Sequence, residues 1–411
     1  MTLSGAPLLV LASYIPAAMV ARESRSRALV WSFVLVVTLL NCISLWNVIA
    51  WPIPGAQWDA QTFHKVAWHY AHHRHHHWPG FSLGTKVYET ILVVAYRILG
   101  ADRWVGQSLS VSAASLSLLL IFKLARENGV ENIPILCGLI LGVGLFPPFL
   151  FHGALTFREP FELLGLVVGC YFSMRALRQV RLLWLLPASL GFLFMGLFHH
   201  VLLAVSFMLI AVFVAMVFLS IRRSRREYGI LLALLAVTVV VGVAAFVSVP
   251  VTSRNDYFSK VMERGSILRA VAHYRHEVEE RSPRTSYNVA LDPDSLPRSM
   301  AALGLDYVSY LFRPYYTDIE EKGDIVPFVS SLARLLLVLA IVVLIMLQRS
   351  ADRTLLAIGA VYLLLTAVWS VGTTNYGQAF RHHSMTDWLL CLAVARLLAA
   401  RYGKSPESHA G

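Results

Sequence analysis

One candidate for proton transfer stands in the sequence Trp58-Asp59-Ala60-Gln61-Thr62-Phe63-His64. Asp59 closely follows a long apolar run, so we expect it at a water interface, where its carboxylate could accept a proton from a hydroxyl group or orient a cation. Asp59 could equally cap a helix predicted over residues 60–70, a role that Asp fills well. The spacing favours neither interpretation. His64, further along the same predicted helix, is a candidate substrate-binding residue.

A second group of charges is Arg158-Glu159-Pro160, which directly precedes an apolar run beginning at Phe161. Charges followed by proline at a helix start can form an ordinary cap and an ion pair at the membrane boundary. Alternatively, Arg158 and Glu159 line a cavity. In that case Glu159 would assist a proton transfer and Arg158 would bind an anion.

A third group lies between Asn375 and His383, where Arg381 and His382 follow Gly377. An arginine beside histidine and a flexible glycine suits a phosphate or pyrophosphate group. The alternative is that Arg381 only contacts phospholipid at the membrane surface.

Arg313 is the cation of the sequence Tyr310-Leu311-Phe312-Arg313-Pro314-Tyr315-Tyr316. Aromatic side chains beside an arginine could bind the face of a sugar and a phosphate. We therefore include Arg313 among the candidate binding residues.

A tract of histidines continues from His64: His69, His72, His73, His75, His76 and His77. Imidazoles bind transition metals, but contiguous histidines do not supply the fixed geometry of a structural zinc site, and neither cysteine nor paired carboxylates lie beside them. An interfacial collar that contacts lipid phosphates is the favoured interpretation. We expect no cofactor, and a divalent metal is the alternative.

Membrane-spanning helices must position these residues. The chain of 411 residues is 57% hydrophobic and 14% charged, with a mean hydropathy of +0.62, too apolar to cover a soluble globule of this size. Its apolar runs suit a hydrocarbon core about 30 Å thick. We predict about eleven spans, at residues 7–20, 29–46, 106–124, 133–151, 161–174, 182–198, 201–221, 230–249, 326–347, 354–369 and 385–399.

The net charge of +11 comes largely from basic residues in short turns between the spans, at residues 22–27, 175–181 and 222–226. That distribution orients membrane proteins and places these turns in the cytoplasm. Nucleic acid is therefore not an expected partner. The segments 51–105 and 251–325 become external loops, and the C-terminus is cytoplasmic. Since residues 83–100 cannot then cross the membrane, we predict an interfacial amphipathic helix there.

The predicted fold is thus an all-α, polytopic transmembrane helical bundle in three parts. Residues 1–250 form an N-terminal transmembrane module that includes the first external loop. Residues 251–325 form an external loop domain, and residues 326–411 form a C-terminal transmembrane module. The phosphate-binding patterns GxxxxGK[ST] and GxGxxG are absent from the sequence, so soluble nucleotides are not expected as direct substrates.

This arrangement resembles the GT-C superfamily of polytopic glycosyltransferases, which use polyprenyl-phosphate-linked sugars, and its relatives in bacterial polysaccharide assembly. Three features carry the resemblance: Asp59 in Trp-Asp-x4-His, the Arg158-Glu159 pair, and Asn375-x-Gly377-x3-Arg381. The resemblance implies that Asp59 acts as a base or orients the acceptor, and that Arg381 holds a lipid phosphate. Family members often have two acidic residues in the first loop, whereas Asp59 has no adjacent acidic partner.

We therefore expect a bacterial inner-membrane glycosyltransferase whose active site faces the periplasm. Its partners would be a polyprenyl-linked sugar, a glycan acceptor and membrane lipids. A polysaccharide polymerase or ligase of the same pathway would depend more on arginine and histidine than on Asp59. A lipid-linked glycan flippase or another transporter is the third alternative, for which charges should line a path through the bilayer centre.

Overall fold

A computed structural model describes residues 4–50, 59–72, 83–179, 181–220, 267–281, 283–287, 289–348 and 353–402. Within these ranges the regular structure is helical, and an isolated bridge pairs Ser286 with Asn375. The α-helices, in chain order, are α1 (Ala6–Ala12), α2 (Ile15–Ser24), α3 (Arg27–Ile49), α4 (Asp59–His72), α5 (Thr85–Leu99), α6 (Arg103–Glu127), α7 (Ile133–Gly144), α8 (Pro147–Ala154), α9 (Glu159–Gln179), α10 (Leu185–Leu197), α11 (His200–Ser220), α12 (Ile267–Arg281), α13 (Leu296–Phe312), α14 (Ile325–Gln348), α15 (Arg353–Gly372), α16 (Tyr376–His383) and α17 (Asp387–Tyr402).

Seven helical segments in the described residues are long and apolar enough to cross a membrane: Ala6–Ser24, Arg27–Ile49, Arg103–Glu127, Glu159–Gln179, Val201–Phe218, Lys322–Gln348 and Thr354–Gly372. They coincide with seven of the predicted spans. The chain is therefore an all-α protein with the apolar helices of a multi-pass membrane protein. The predicted total of about eleven spans stays a prediction.

The other predicted spans have different outcomes. The run 133–151 forms α7 and α8, which are bent by 61° relative to each other, because Pro147 and Pro148 lack the N–H groups needed to continue α7. The run 182–198 forms a shorter apolar helix over Leu182–Leu197, and 385–399 forms part of α17. The predicted span 230–249 lies outside the described residues.

The chain divides into two compact units. Unit 1 comprises Met1–Leu145, Phe149–Ser248 and Leu398–Gly411, and unit 2 comprises Phe146–Pro148 and Val249–Leu397.

Within unit 1, α9 and α10 approach each other at backbone contact distance. A Cβ atom added to Gly191 would lie 2.6 Å from the Gly169 nitrogen, and one added to Gly165 would lie 2.8 Å from the Gly191 oxygen. Small residues permit such close approach between membrane helices, whose association depends on van der Waals packing. These three glycines therefore set the spacing of α9 and α10.

Polar side chains mark the helix starts. The Asp102 carboxylate accepts the Trp104 N–H at 3.1 Å at the start of α6, and Asn375 accepts the Gln378 N–H at 2.8 Å at the start of α16. Such caps satisfy donors that have no intrahelical acceptor. The Asn375 cap helps to fix the start of α16, which carries the candidate residues Arg381 and His382.

Helices α4 and α5 pack against each other in unit 1. Phe63 and Ala67 of α4 are buried with Tyr88 and Leu92 of α5, and the Phe63 and Tyr88 rings meet edge to face at 5.0 Å. The predicted helix within 83–100 is thus present as α5, and its location at the membrane interface stays a prediction. The pair carries Asp59 and His64.

The close packing of α9 against α10 predicts that replacing a glycine at this contact destabilises the fold, whereas replacing a glycine elsewhere does not. We expect Gly191→Ala to lower the free energy of unfolding by about 1–3 kcal/mol, because the new methyl group meets backbone atoms that cannot move aside easily. Thermal unfolding in detergent micelles measures the change. Gly138→Ala in α7 is the matched control, since a Cβ there meets no atom within 4 Å and gains the same helix propensity. Equal melting temperatures for the two variants would contradict the proposed contact.

Candidate functional site

In unit 1, Asp59 is the first residue of α4 and its side chain is exposed. A carboxylate in the first turn of a helix is favoured by the partial positive charge of the helix N-terminus. The position agrees with the helix-start interpretation of Asp59, and its exposure also leaves the carboxylate accessible to solvent. Its role as a catalytic base stays a prediction.

His64 makes a partly buried contact with Tyr96 that orients its ring. Its Nδ1 atom lies 2.8 Å from the Tyr96 hydroxyl oxygen, and Tyr96 comes from α5. Tyr96 is almost fully buried, and a Cβ atom on Gly106 would lie 2.7 Å from its hydroxyl. The absence of a side chain at Gly106 therefore leaves the space that the Tyr96 hydroxyl occupies. Sequence reasoning did not identify Tyr96, because its partner lies 32 positions away in the chain.

Electrostatics keep His64 neutral at physiological pH. Burial, reinforced by the nearby Arg103 and opposed by Asp102, lowers the pKa of His64 from its usual 6.5 to about 4. Burial also raises the pKa of the Tyr96 hydroxyl, which stays protonated. Neutral His64 therefore carries one ring proton and no positive charge for a phosphate.

Arg158 lies between two buried carboxylates. Its Nε atom is 3.9 Å from Glu159 Oε1 and 3.4 Å from Glu162 Oε1, and its Nη1 atom donates to the Phe198 carbonyl at 3.0 Å. Both glutamates are at most 2% exposed. The structure thus brings the predicted pair Arg158 and Glu159 together. These contacts join the start of α9 to the end of α10, and the binding and catalytic roles of the pair stay predictions.

Aromatic contacts connect the α4–α5 pair to this ion-pair group within unit 1. The Tyr88 ring lies 5.6 Å from the Phe161 ring, which in turn lies 5.9 Å from the Phe198 ring. Phe161 follows Glu159 and Pro160 in α9, and Phe198 supplies the carbonyl that Arg158 contacts. The helix pair that carries Asp59 and His64 therefore packs over the same ends of α9 and α10.

In unit 2, Arg313 belongs to a partly exposed aromatic group. Its guanidinium carbon lies 5.4 Å from the centre of the Tyr315 ring, and its Nε atom lies 3.6 Å from Asp318 Oδ2. The next residue, Tyr316, is 79% exposed, and its ring meets Phe328 of α14 at 6.4 Å. A cation and aromatic faces thus adjoin the first turn of an apolar helix.

Arg381 and His382 lie on the short helix α16, also in unit 2. The His382 ring stacks on Trp369 at 3.7 Å, with 15° between the ring planes, and its Nδ1 atom lies 3.0 Å from the Thr373 hydroxyl. Arg381, the preceding residue, is half-buried. The ring of His382 is therefore held in place by α15 and the segment after it, and its role in substrate binding stays a prediction.

Buried ion pairs in unit 2 are the polar features that sequence reasoning missed. Arg334 of α14 donates to both Asp387 oxygens at 2.8 and 2.9 Å, and the two side chains are 1% and 4% exposed. Arg275 pairs with Asp306, and both are buried. A signal existed for the first pair, because Arg334 and Asp387 are opposite charges within predicted spans, where a charge requires a partner.

Of the histidines in the metal interpretation, the structure describes His64, His69 and His72. In the part of the chain that the structure describes, no group of three or more His, Cys, Asp or Glu side chains is placed to hold a metal ion. His73, His75, His76 and His77 lie outside the described residues.

The Arg334–Asp387 pair predicts non-additive mutational effects. We expect Arg334→Met and Asp387→Leu each to cost about 3–5 kcal/mol of folding free energy, because each leaves a buried charge without its partner. The double variant should lose less than the sum of the two. Thermal unfolding in detergent provides the measurement. The exposed pair Arg269–Asp294, with a contact of 2.8 Å, is the control, and its loss should cost about 0–1 kcal/mol. Additive losses at Arg334 and Asp387 would contradict the coupling.

The lowered pKa of His64 predicts a pH dependence of stability. Between about pH 6.5 and pH 4 the unfolded chain binds a proton at His64 that the folded chain excludes, so folding stability falls as the pH falls through this window. We expect His64→Gln to lose less thermal stability than the wild type between pH 7 and pH 5. His276→Gln is the control at an exposed position. The same pH dependence in wild type and His64→Gln would show that His64 is not buried as a neutral group.

The predicted site residues lie in both units: Asp59, His64, Arg158 and Glu159 in unit 1, and Arg313, Arg381 and His382 in unit 2. Comparison of the chain with protein-family models, with curated proteins and with solved structures finds no match in any of the three.

Proposed function

We propose that the protein is a glycosyltransferase of the bacterial inner membrane that moves a sugar or oligosaccharide from a polyprenyl-(pyro)phosphate carrier to an acceptor on the periplasmic side. The observation that carries this proposal is the group around Arg313 in unit 2. A cation, aromatic rings and an exposed apolar helix adjoin there, and a lipid-linked sugar contains a matching anion, sugar face and hydrocarbon chain.

The cation of this group suits the carrier phosphate. The Arg313 side chain is 31% exposed, so its guanidinium is reachable from outside while it remains oriented by Asp318 and Tyr315. Arginine binds phosphate oxygens through paired N–H groups. During transfer, the bond between the anomeric carbon and the phosphate oxygen breaks, and negative charge develops on the leaving phosphate. Arg313 would stabilise that charge.

The rings and the helix suit the remaining parts of the carrier. Tyr315 and Tyr316 are 41% and 79% exposed, and an exposed aromatic face packs well against the C–H groups of a sugar. From Phe328 onward, the exposed large side chains of α14 are apolar: Val329, Leu332, Leu335, Leu336, Leu339, Val342, Val343, Met346 and Leu347. The polyprenyl chain would lie along such a surface.

The acceptor hydroxyl must lose a proton as its oxygen bonds to the anomeric carbon. Asp59 is the base that we propose, because its carboxylate is exposed. Glu159 is a weaker candidate, since it is buried beside Arg158. We propose that Arg158 and Glu159 act by holding the ends of α9 and α10 on which the α4–α5 pair packs. Arg381 is the second proposed phosphate ligand.

The test is mass spectrometry of lipid extracts from cells that lack the gene and from cells complemented with variants. We expect cells without the protein to accumulate a polyprenyl-linked saccharide. Arg313→Ala should restore little transfer, with a loss of about 100-fold or more, as is typical when a group that stabilises developing charge is removed. Arg298→Ala, an 80% exposed arginine in the same unit, should restore transfer fully. An unchanged lipid pool in the deletion strain would contradict a role in transfer from a polyprenyl carrier.

The Asp59→Asn variant separates the two enzymatic alternatives. If Asp59 is the base, this variant inserts normally and transfers nothing. Normal transfer by Asp59→Asn, together with loss of activity in Arg381→Ala, would instead indicate a polymerase or ligase that depends on arginine and histidine. Asp294→Asn, at a 77% exposed carboxylate, controls for the change of charge.

A further inference from the structure

Helix α13 in unit 2 has the reverse of the usual surface pattern. Apart from Arg298 in its first turn, its exposed large side chains are apolar: Leu296, Met300, Leu305 and Val308, which are 48–61% exposed. Its buried face includes the polar residues Ser299, Asp306 and Tyr310, each 0% exposed. A helix on a water-exposed surface has its polar residues outside. Polar residues inside and apolar residues outside are typical of a helix surrounded by lipid.

Two contacts establish the depth of the C-terminal end of α13 relative to α14. The Ser331 hydroxyl donates to the Arg313 carbonyl at 2.7 Å, and Arg334 Nη1 donates to the Leu311 carbonyl at 2.6 Å. Arg334 lies nine residues after Ile325, the first residue of α14, which corresponds to about 13 Å along the helix axis. The end of α13 is therefore level with the second and third turns of α14.

The surface of α14 at that level is apolar. Leu332, Leu335 and Leu336 are 38–59% exposed, and the exposed apolar side chains continue to the end of the helix. An exposed apolar surface at this level favours contact with lipid over contact with water. The exposed face of α13 is apolar at its deep end as well, since Leu305 and Val308 lie within its last two turns.

The last backbone carbonyl groups of α13 have hydrogen-bond partners within the protein, as they must have in an apolar medium. The last carbonyl groups of a helix have no intrahelical donor, and hydrocarbon cannot supply one. Here Arg334 and Ser331 contact the Leu311 and Arg313 carbonyls, and His383 Nε2 lies 2.8 Å from the Tyr310 carbonyl. Arg334 also places a positive charge at the negative end of the helix, where it is favoured.

The polar residues on either side of this segment mark its two ends. Arg298, in the first turn of α13, is 80% exposed and lies 3.3 Å from Asp292. After α13 the chain reaches Glu320 and Glu321, which are 65% and 66% exposed. Charged and exposed residues thus flank an interval whose exposed large side chains are mainly apolar.

We infer that α13 is a re-entrant membrane helix: it enters the bilayer from the side on which α14 begins, ends about two turns deep, and returns to that side through residues 313–324. The occupant of its apolar face is lipid acyl chains. The predicted external loop 251–325 would then contain a membrane-inserted helix. This inference does not depend on the proposed transferase activity.

Spin labels on single cysteines in the full-length protein test the inference. The background carries alanine at Cys42, Cys137, Cys170 and Cys391 and is first checked for the wild-type melting temperature. Labels are placed at Val308, at Leu332 on the lipid-exposed face of α14, and at the exposed Glu320. The protein is reconstituted into vesicles of phosphatidylethanolamine and phosphatidylglycerol. Collision rates with oxygen, which partitions into lipid, and with a water-soluble nickel chelate are then measured.

We expect the Val308 label to behave like the Leu332 label, with frequent oxygen collisions and at least 5-fold fewer nickel collisions than the Glu320 label. A Val308 label as accessible to nickel as that at Glu320 would place α13 in water and overturn the inference. Protection from both reagents would also overturn it, because α13 would then be covered by protein, such as a second copy of the chain. A second label at Met300, nearer the start of α13, should collide with oxygen less often than the Val308 label.

Discussion

A polar group surrounded by hydrocarbon must find its partner within the protein, and Arg334 shows how unit 2 meets this constraint. Its guanidinium donates to the Asp387 carboxylate and to the Leu311 carbonyl. One side chain therefore neutralises a buried charge and satisfies the end of a neighbouring helix. The arrangement of α13, α14 and α17 in this unit depends on these contacts, because each partner would be costly to bury alone.

Unit 1 meets the same constraint with different residues. Arg158 joins two buried glutamates and the Phe198 carbonyl at the ends of α9 and α10. Along their length these helices meet through Gly165, Gly169 and Gly191, where the backbones come close enough for dispersion contacts. The ion pairs thus hold the polar ends of α9 and α10 together, and the glycine contacts hold their apolar middle parts together.

The candidate residues differ in how closely their structures follow from local sequence. Asp59 is the first residue of α4, a position where the local preference for an acidic residue at a helix start is expressed. Arg158 and Glu159 lie together because they are consecutive residues in the chain. The contact between His64 and Tyr96 was not predicted, because it joins two helices and requires the vacant side-chain position at Gly106. The Arg334–Asp387 pair left only a partial signal, namely two opposite charges in apolar runs.

The sequence by itself determined that this is an all-α protein with helices that can cross a membrane. The reason is that the length and apolarity of a segment decide whether it can span the hydrocarbon core. It also indicated that helices begin near Asp59 and Glu159, and the structure places Asp59 and Glu159 as the first residues of α4 and α9. Only the tertiary structure decided which buried charges pair and which face of α13 is polar, because the exposed and buried sides of a helix are defined by what packs against it. Asp306 illustrates the difference: in the sequence it is one more charge in an apparent loop, and in the fold it is a buried partner of Arg275.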